Sequence, residues 1–200
     1  MRLRSVPLAL TATFAAALLI AGCGMDATTA PSSAAITAPE APSAALLGLT
    51  QTTTVKPLLR TTPLASSVTT TATIGVLGGT LRLPEAGLTV VVPPLAVKTA
   101  TKFSVTALAG SNVAYEFEPH GLKFGVPLVA TQSLKGTQAQ SGGLINPLSL
   151  FAGYFPDSKQ TTSISEILNL NVNVLNQTSV LTIWHFSGYI IATGRSGDDF

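Results

Sequence analysis

The sequence predicts an all-β protein, an antiparallel β-sandwich preceded by a signal peptide and a disordered tether. Three observations lead to this prediction. Charged residues make up 10% of the 200-residue chain, whereas they make up about a quarter of average soluble domains. The chain holds 17 glycines and 13 prolines, and those in its second half divide it into short segments. Most of these segments alternate apolar and polar residues, the pattern of strands with one buried face.

The signal peptide is predicted at residues 1–22. Two arginines among the first four residues form a positive start, and residues 6–20 form an apolar stretch that is too short to cross a bilayer. The stretch leads into Leu-Ile-Ala-Gly-Cys at residues 19–23, in which Cys23 is the only cysteine of the chain. These residues resemble the bacterial lipobox, which implies cleavage before Cys23 and acylation of that residue with lipids such as palmitate. The alternative is an ordinary signal peptide that is cut nearby, with Cys23 incidental.

Acylation of Cys23 implies that the chain is held on a membrane, because several acyl chains exceed what stable anchoring requires. Gly24 rather than aspartate follows the cysteine, which implies the outer membrane of the cell envelope if the organism has two membranes. Removal of the signal peptide leaves nine basic and nine acidic residues, a balance that excludes a nucleic-acid partner bound through its phosphates. The lone cysteine also excludes an internal disulfide framework. The expected partners are the membrane and an unidentified envelope or extracellular protein.

Residues 23–70 are predicted to be the acylated cysteine and a flexible tether. Between residues 26 and 70, 30 of 45 residues are Ala, Ser, Thr or Pro, a composition typical of a mobile linker. Five prolines in this segment oppose long helices. Two apolar groups, at residues 45–49 and 57–59, are exceptions that could dock on the domain or form a helical turn.

The sandwich is predicted at residues 71–195, with a short tail at residues 196–200. Its first clear strand, at residues 80–83, follows two glycines and alternates leucine with polar residues. A Pro-Glu-Ala-Gly turn then leads to the strand at residues 88–92, which is rich in β-branched residues and ends at two prolines.

The later strands follow the same rule of alternation. The strand at residues 102–107 places Phe103 and Val105 on its inner face, and the strand at residues 114–118 places two glutamates on its outer face. Eight or more short strands separated by turns are typical of a sandwich or a barrel. The remaining strands are predicted at residues 126–133, 149–155, 167–174, 180–186 and 189–193.

Three segments in this region carry a family resemblance. Residues 74–96, with Gly-Gly-Thr-Leu and Gly-Leu-Thr-Val-Val-Val-Pro, are similar to the opening of the ZU-five domain, which zonula occludens proteins, netrin receptors and ankyrins share. Residues 115–124 resemble the central stretch of that family, and residues 184–189 resemble its last conserved strand. The ordered resemblance covers residues 72 to about 193 and implies an antiparallel β-sandwich. Leu95 stands where the family usually has glycine, so the turn at that position is expected to differ.

The resemblance also implies one chemically active candidate, His185-Phe186-Ser187. Some relatives cut their own backbone within His-Phe-Ser by an N-to-O acyl shift: the histidine takes the serine proton, and the serine oxygen attacks the phenylalanine carbonyl carbon. The amide C–N bond then breaks as its nitrogen takes up a proton, and water hydrolyses the resulting ester. Gly188 replaces the tryptophan of those relatives and would permit the sharp bend that the reaction needs. The alternative is a continuous strand that only packs, with Trp184 and Phe186 buried together on one face.

No further chemistry is predicted. The two histidines, His120 and His185, have no neighbours with metal-ligand spacing, and Glu116 and Glu118 supply too few oxygens for a hard cation. The sequence also lacks a phosphate-binding glycine loop and a nucleophile elbow. We therefore expect no catalytic residue, cofactor or metal. The expected function is a non-enzymatic binding or structural module of the cell envelope, with self-cleavage between Phe186 and Ser187 as the alternative.

Overall fold

A computed structural model describes residues 52–197, which form fifteen strands joined by turns and contain no α-helix. The predicted signal peptide, Cys23, the apolar group at residues 45–49 and residues 198–200 lie outside these described residues. Among the described residues, no helix is long and apolar enough to cross a membrane. The strands are β1 (Thr53–Pro57), β2 (Leu59–Leu64), β3 (Val68–Ile74), β4 (Gly79–Leu83), β5 (Leu88–Val92), β6 (Thr101–Ala107), β7 (Gly110–Asn112), β8 (Ala114–Glu118), β9 (Lys123–Ser133), β10 (Phe151–Phe155), β11 (Ser163–Ile164), β12 (Glu166–Leu168), β13 (Asn171–Asn173), β14 (Thr178–His185) and β15 (Gly188–Arg195).

Two antiparallel sheets pack face to face as a β-sandwich, as the sequence predicts. One sheet has five strands in the order β13-β14-β9-β5-β4. The other has eight strands, with the path β11-β1-β15-β8-β6-β3, while β10 pairs with both β15 and β12. The short strands β2 and β7 form a separate ribbon.

The core lies between the two sheets because alternate residues of each strand point inward. Leu128 and Ile183 come from the five-stranded sheet, and Phe103 and Phe117 come from the eight-stranded sheet; all four side chains are buried. Phe103 and Val105 face inward as predicted, and the glutamates of β8 lie on its outer side. The removal of these apolar side chains from water is the main force that holds the sheets together.

Most of the predicted strands are confirmed. Residues 80–83, 88–92, 102–107 and 114–118 correspond to β4, β5, β6 and β8, and the later predictions correspond to β9, β10, β14 and β15. The predicted strand at residues 167–174 is instead two short strands, β12 and β13, which belong to different sheets. Asn-Leu at residues 169–170 joins them, so the chain leaves one sheet before it enters the other.

The structure corrects the boundary of the tether, because most of residues 53–70 lie in β1, β2 and the start of β3. β3 pairs with β6 along its whole length, from Val68 opposite Ala107 to Ile74 opposite Thr101. Threonine is common in mobile linkers, but it is also β-branched and fits a pleated sheet. Composition alone therefore misassigned this segment. Of the two apolar groups, the one at residues 57–59 docks on the domain.

The turn between β5 and β6 has an unusual backbone at Leu95, whose φ is 66°. Its N–H donates a hydrogen bond to the carbonyl oxygen of Val76 at 2.8 Å, and its side chain is exposed. A leucine in the left-handed region is strained, whereas glycine adopts this conformation readily. The turn thus has the geometry of a glycine turn although it contains leucine.

Candidate functional site

The predicted site lies where the chain crosses from one sheet to the other. β14 ends at His185 in the five-stranded sheet, and β15 begins at Gly188 in the eight-stranded sheet. Phe186 and Ser187 form the connection. The expected continuous strand is therefore wrong, because residues 185–188 turn the corner of the sandwich.

Three backbone hydrogen bonds hold this crossing to β8 and the segment after it. The Phe186 N–H donates to the Leu122 carbonyl oxygen at 2.8 Å, and the Gly121 N–H donates to the Phe186 carbonyl oxygen at 3.0 Å. The Ser187 carbonyl oxygen accepts from the Phe117 N–H, also at 3.0 Å. Both carbonyl groups beside the candidate bond are thus paired with defined donors.

Phe186 fills the centre of an aromatic cluster, while Trp184 faces away from it. The Phe186 ring centroid lies 4.8 Å from that of Phe103, 4.9 Å from that of Phe124 and 5.4 Å from that of Phe117. Phe186 is 0% exposed, whereas Trp184 is 56% exposed. The expectation that both side chains are buried on one face is wrong, because the corner after His185 ends the strand alternation.

His185 contacts two tyrosines rather than Ser187. Its ring centroid lies 5.4 Å from that of Tyr154, and its Nδ1 lies 3.5 Å from the hydroxyl of Tyr189. The same hydroxyl donates a hydrogen bond to the His185 carbonyl oxygen. Within the described part of the chain, no hydrogen bond joins the imidazole to Ser187, which is itself buried. Proton transfer from Ser187 to His185 would therefore require a change in this arrangement.

Tyr189 is a stable hydrogen-bond donor at the site. Burial of its ring, with smaller contributions from the negative charge of Glu166 and from Tyr154, raises the pKa of Tyr189 well above its ordinary value. Its hydroxyl stays protonated at neutral pH and keeps its bond to the His185 backbone. The tyrosine therefore fixes the end of β14.

Gly188 is required for packing at this corner. A β-carbon on Gly188 would lie 2.1 Å from the Cε2 atom of Phe155, far inside van der Waals contact. Gly188 does not have a positive φ, and neither do Phe186 and Ser187. The glycine therefore allows close approach of an aromatic ring, rather than the sharp bend expected from the sequence.

The other histidine lies in an exposed turn. His120 follows Pro119 and borders a shallow cleft with Lys102 and Glu118. Residues 52–197 contain no group of three His, Cys, Asp or Glu side chains that could hold a metal ion. His120 and the neighbouring glutamates thus offer hydrogen-bonding groups at the surface.

The sequence analysis missed a polar cluster inside the sandwich. The Tyr115 hydroxyl donates to the Gln132 side-chain oxygen and also lies 3.0 Å from the Ala86 carbonyl oxygen. The Gln132 amide donates to Ala86 at 3.0 Å and to the Ser133 carbonyl oxygen at 2.7 Å. Arg60 lies over the Tyr115 ring, with its Cζ 5.7 Å from the centroid. No sequence motif marks this cluster, because its members come from β2, β8, β9 and the turn before β5.

Comparison of the chain with protein-family models and with curated proteins finds no match.

Proposed function

We propose that the protein is a lipid-anchored module of the bacterial cell envelope, whose ZU-five-like sandwich has a binding or structural role and no enzymatic one. The observation that carries the proposal is the lipobox-like ending at residues 19–23, which places the chain's only cysteine directly after two small residues. Residues 24–52 separate this cysteine from β1. A random coil of that length spans about 30 Å. The sandwich would therefore stay within a few nanometres of the membrane that holds Cys23.

Replacement of the cysteine tests the anchor. In cells fed labelled palmitate, the intact chain should carry label and sediment with membranes, while Cys23→Ala should lose both properties. Ser32→Ala, a small change outside the lipobox-like segment, is the control and should keep both. Continued incorporation of label by Cys23→Ala would contradict the proposal.

Self-processing is the second candidate, and one feature of the corner favours it. Attack of Ser187 on the Phe186 carbonyl carbon would place negative charge on the Phe186 oxygen, which already accepts the Gly121 N–H. The contacts of His185 with Tyr154 and Tyr189 oppose it, because they engage the expected base elsewhere.

An intact mass measured under denaturing conditions separates the two candidates. We expect a single uncut chain after removal of the signal peptide, and Ser187→Ala should change stability by no more than about 1–2 kcal/mol. Two fragments that meet between Phe186 and Ser187 would establish self-processing, provided that Ser187→Ala restores one chain. Denaturation is necessary because β15 would hold the C-terminal fragment in the sheet through its ladders with β10 and β8.

A further inference from the structure

Arg60 is a buried cation that has no counter-ion among the residues that the structure describes. It lies in β2 with 7% of its surface exposed, and it is the one charged residue among the buried polar residues that the structure describes. Within residues 52–197 it forms no ion pair. Buried charges in proteins are normally paired, because removal of a charge from water is costly.

The hydrogen bonds of Arg60 leave one edge of the guanidinium unused. Nη1 donates to the Asn112 carbonyl oxygen and lies 3.5 Å from that of Gly110. Nε and Nη2 are buried and form no hydrogen bond with any residue between positions 52 and 197. These two nitrogens form one side of the planar group, where their N–H bonds are parallel. That geometry matches the two oxygens of a carboxylate.

The neighbours of Arg60 cannot supply the missing negative charge. Burial raises the pKa of Tyr115 to about 12, against a smaller opposing effect of Arg60 itself, so its phenol is neutral at pH 7. Gln132 is an uncharged amide whose nitrogen donates to the Ala86 and Ser133 carbonyl oxygens. Residues 52–197 therefore leave the charge of Arg60 uncompensated.

Arg60 lines a cleft of about 260 Å³ that opens at the surface, although its Nε and Nη2 atoms are themselves covered. Its walls include the turn before β5 and the turn that follows β9, and two of its exposed lining residues, Lys135 and Glu85, carry opposite charges. Lys135 adds a second positive charge at the rim. Glu85 lines the same cleft but forms no ion pair with Arg60 among the described residues.

The donors of this cleft favour a carboxylate over a phosphate. Phosphate sites usually present several free backbone N–H groups. Here the Gly136 N–H donates to the Gln140 side chain at 3.1 Å, and the Thr61 N–H donates to the Gly136 carbonyl oxygen at 2.9 Å. The Gly87 N–H is also used, by the Pro84 carbonyl oxygen at 3.0 Å. Arg60 and Lys135 are the positively charged residues that line the cleft, next to the negative charge of Glu85.

We propose that this cleft is a binding site for a small carboxylate ligand, whose two oxygens pair with Nε and Nη2 of Arg60. Because Nε and Nη2 are covered, entry requires a small displacement of the residues that line the cleft. The Lys135 ammonium at the rim contributes charge without a fixed geometry. A water molecule in the same place would satisfy the two N–H donors but would leave the charge of Arg60 uncompensated. The site is distinct from the corner at residues 185–188.

Thermal unfolding of the full chain with succinate as the probe tests the proposal. At pH 7 and constant ionic strength, replacement of chloride by succinate should raise the Tm in a saturable manner. Inorganic phosphate should raise it less at equal concentration. Arg60→Gln should abolish the response. Lys135→Gln, which changes an exposed residue, should weaken succinate binding about two- to fivefold.

Arg82→Gln is the matched control, because it removes the same charge from an exposed position in β4 outside the cleft. It should leave the succinate response unchanged. If Arg60→Gln does not fold, the Nε–H signal of Arg60 in ¹⁵N NMR spectra of the unmodified chain provides the test. That signal should shift with succinate, and Arg82→Gln and Arg195→Gln identify the signals of the other arginines of the domain.

Three results would overturn the proposal. The first is the absence of a saturable succinate effect on both the Tm and the Arg60 signal. The second is tighter binding of phosphate than of succinate. The third is a succinate response that appears only after removal of residues 198–200. That result would mean that the carboxylates of those residues occupy the cleft in the intact chain.

Discussion

Replacement of Phe186 by alanine should destabilise the domain far more than replacement of Trp184, although tryptophan is the larger residue. Phe186 is 0% exposed, and Trp184, two positions earlier, is 56% exposed. Their difference arises from the corner after β14, where the chain leaves the five-stranded sheet. The pair thus compares a side chain inside the sandwich with one outside it.

The size of the effect follows from the contacts of the ring. Full burial of a phenylalanine contributes up to about 3 kcal/mol, and each edge-to-face contact adds about 0.5–1.5 kcal/mol. Phe186 has two such contacts, with Phe103 and Phe124, and a tilted contact with Phe117. Truncation also leaves a cavity, so Phe186→Ala should cost about 3–5 kcal/mol. Trp184→Ala should cost about 1 kcal/mol or less, as expected for a largely solvated side chain.

Urea denaturation followed by far-ultraviolet circular dichroism measures both effects. Fluorescence is unsuitable because Trp184 is the single tryptophan of the chain. Phe186→Leu is the control for volume, and it should cost about 1 kcal/mol because most of the cavity stays filled. If Trp184→Ala costs as much as Phe186→Ala, the assignment of the inner and outer sides of this corner is wrong.

Three further predictions concern backbone fit and titration. Gly188→Ala should cost about 1–3 kcal/mol because its β-carbon meets the Phe155 ring, and Phe155→Leu in the same chain should recover part of the loss in a double-mutant cycle. Leu95→Asn, which suits a φ of 66°, should raise the Tm and stabilise the fold by about 0.5–1 kcal/mol, whereas Leu95→Ala should not. The pKa of Tyr115 rises from 10.0 to about 12 on folding, and that of Tyr189 rises as well. The protonated phenols therefore contribute their full stabilisation of the fold below pH 10, and this stabilisation is lost as the pH rises towards 12. The free energy of unfolding should fall by up to about 1.4 kcal/mol per pH unit for each tyrosine in this range, and a slope that Tyr189→Phe leaves unchanged would contradict this.

Local sequence patterns determined most strands of the sandwich. Alternation and turn signals identified β4, β5, β6, β8, β9, β10, β14 and β15, because most of these strands bury one face and expose the other. β15 is the exception, since its first five residues are all buried. The same rule identified inward-facing residues such as Phe103 and Val105. The predicted anchor at Cys23 also depends on a local pattern, and it lies outside the described residues.

The partners of each strand were decided only by the tertiary structure. β1 pairs with β15, whose residues lie about 140 positions later in the chain, from Val55 opposite Arg195 to Pro57 opposite Ala192. A threonine-rich segment has the same composition whether it remains solvated or joins a sheet. The segment joins a sheet only where another strand offers an unpaired edge. That edge exists once the rest of the domain has folded.

Tertiary structure also decided which side chains of the candidate sites are buried. Periodicity placed Trp184 and Phe186 on the same face. Because the chain crosses to the other sheet after His185, Phe186 is buried whereas Trp184 is exposed. Arg60 has the sequence context of a linker, yet the packing of β2 against the turn after β9 buries its guanidinium. Side-chain alternation is a property of one strand, whereas burial depends on what another part of the chain places beside it.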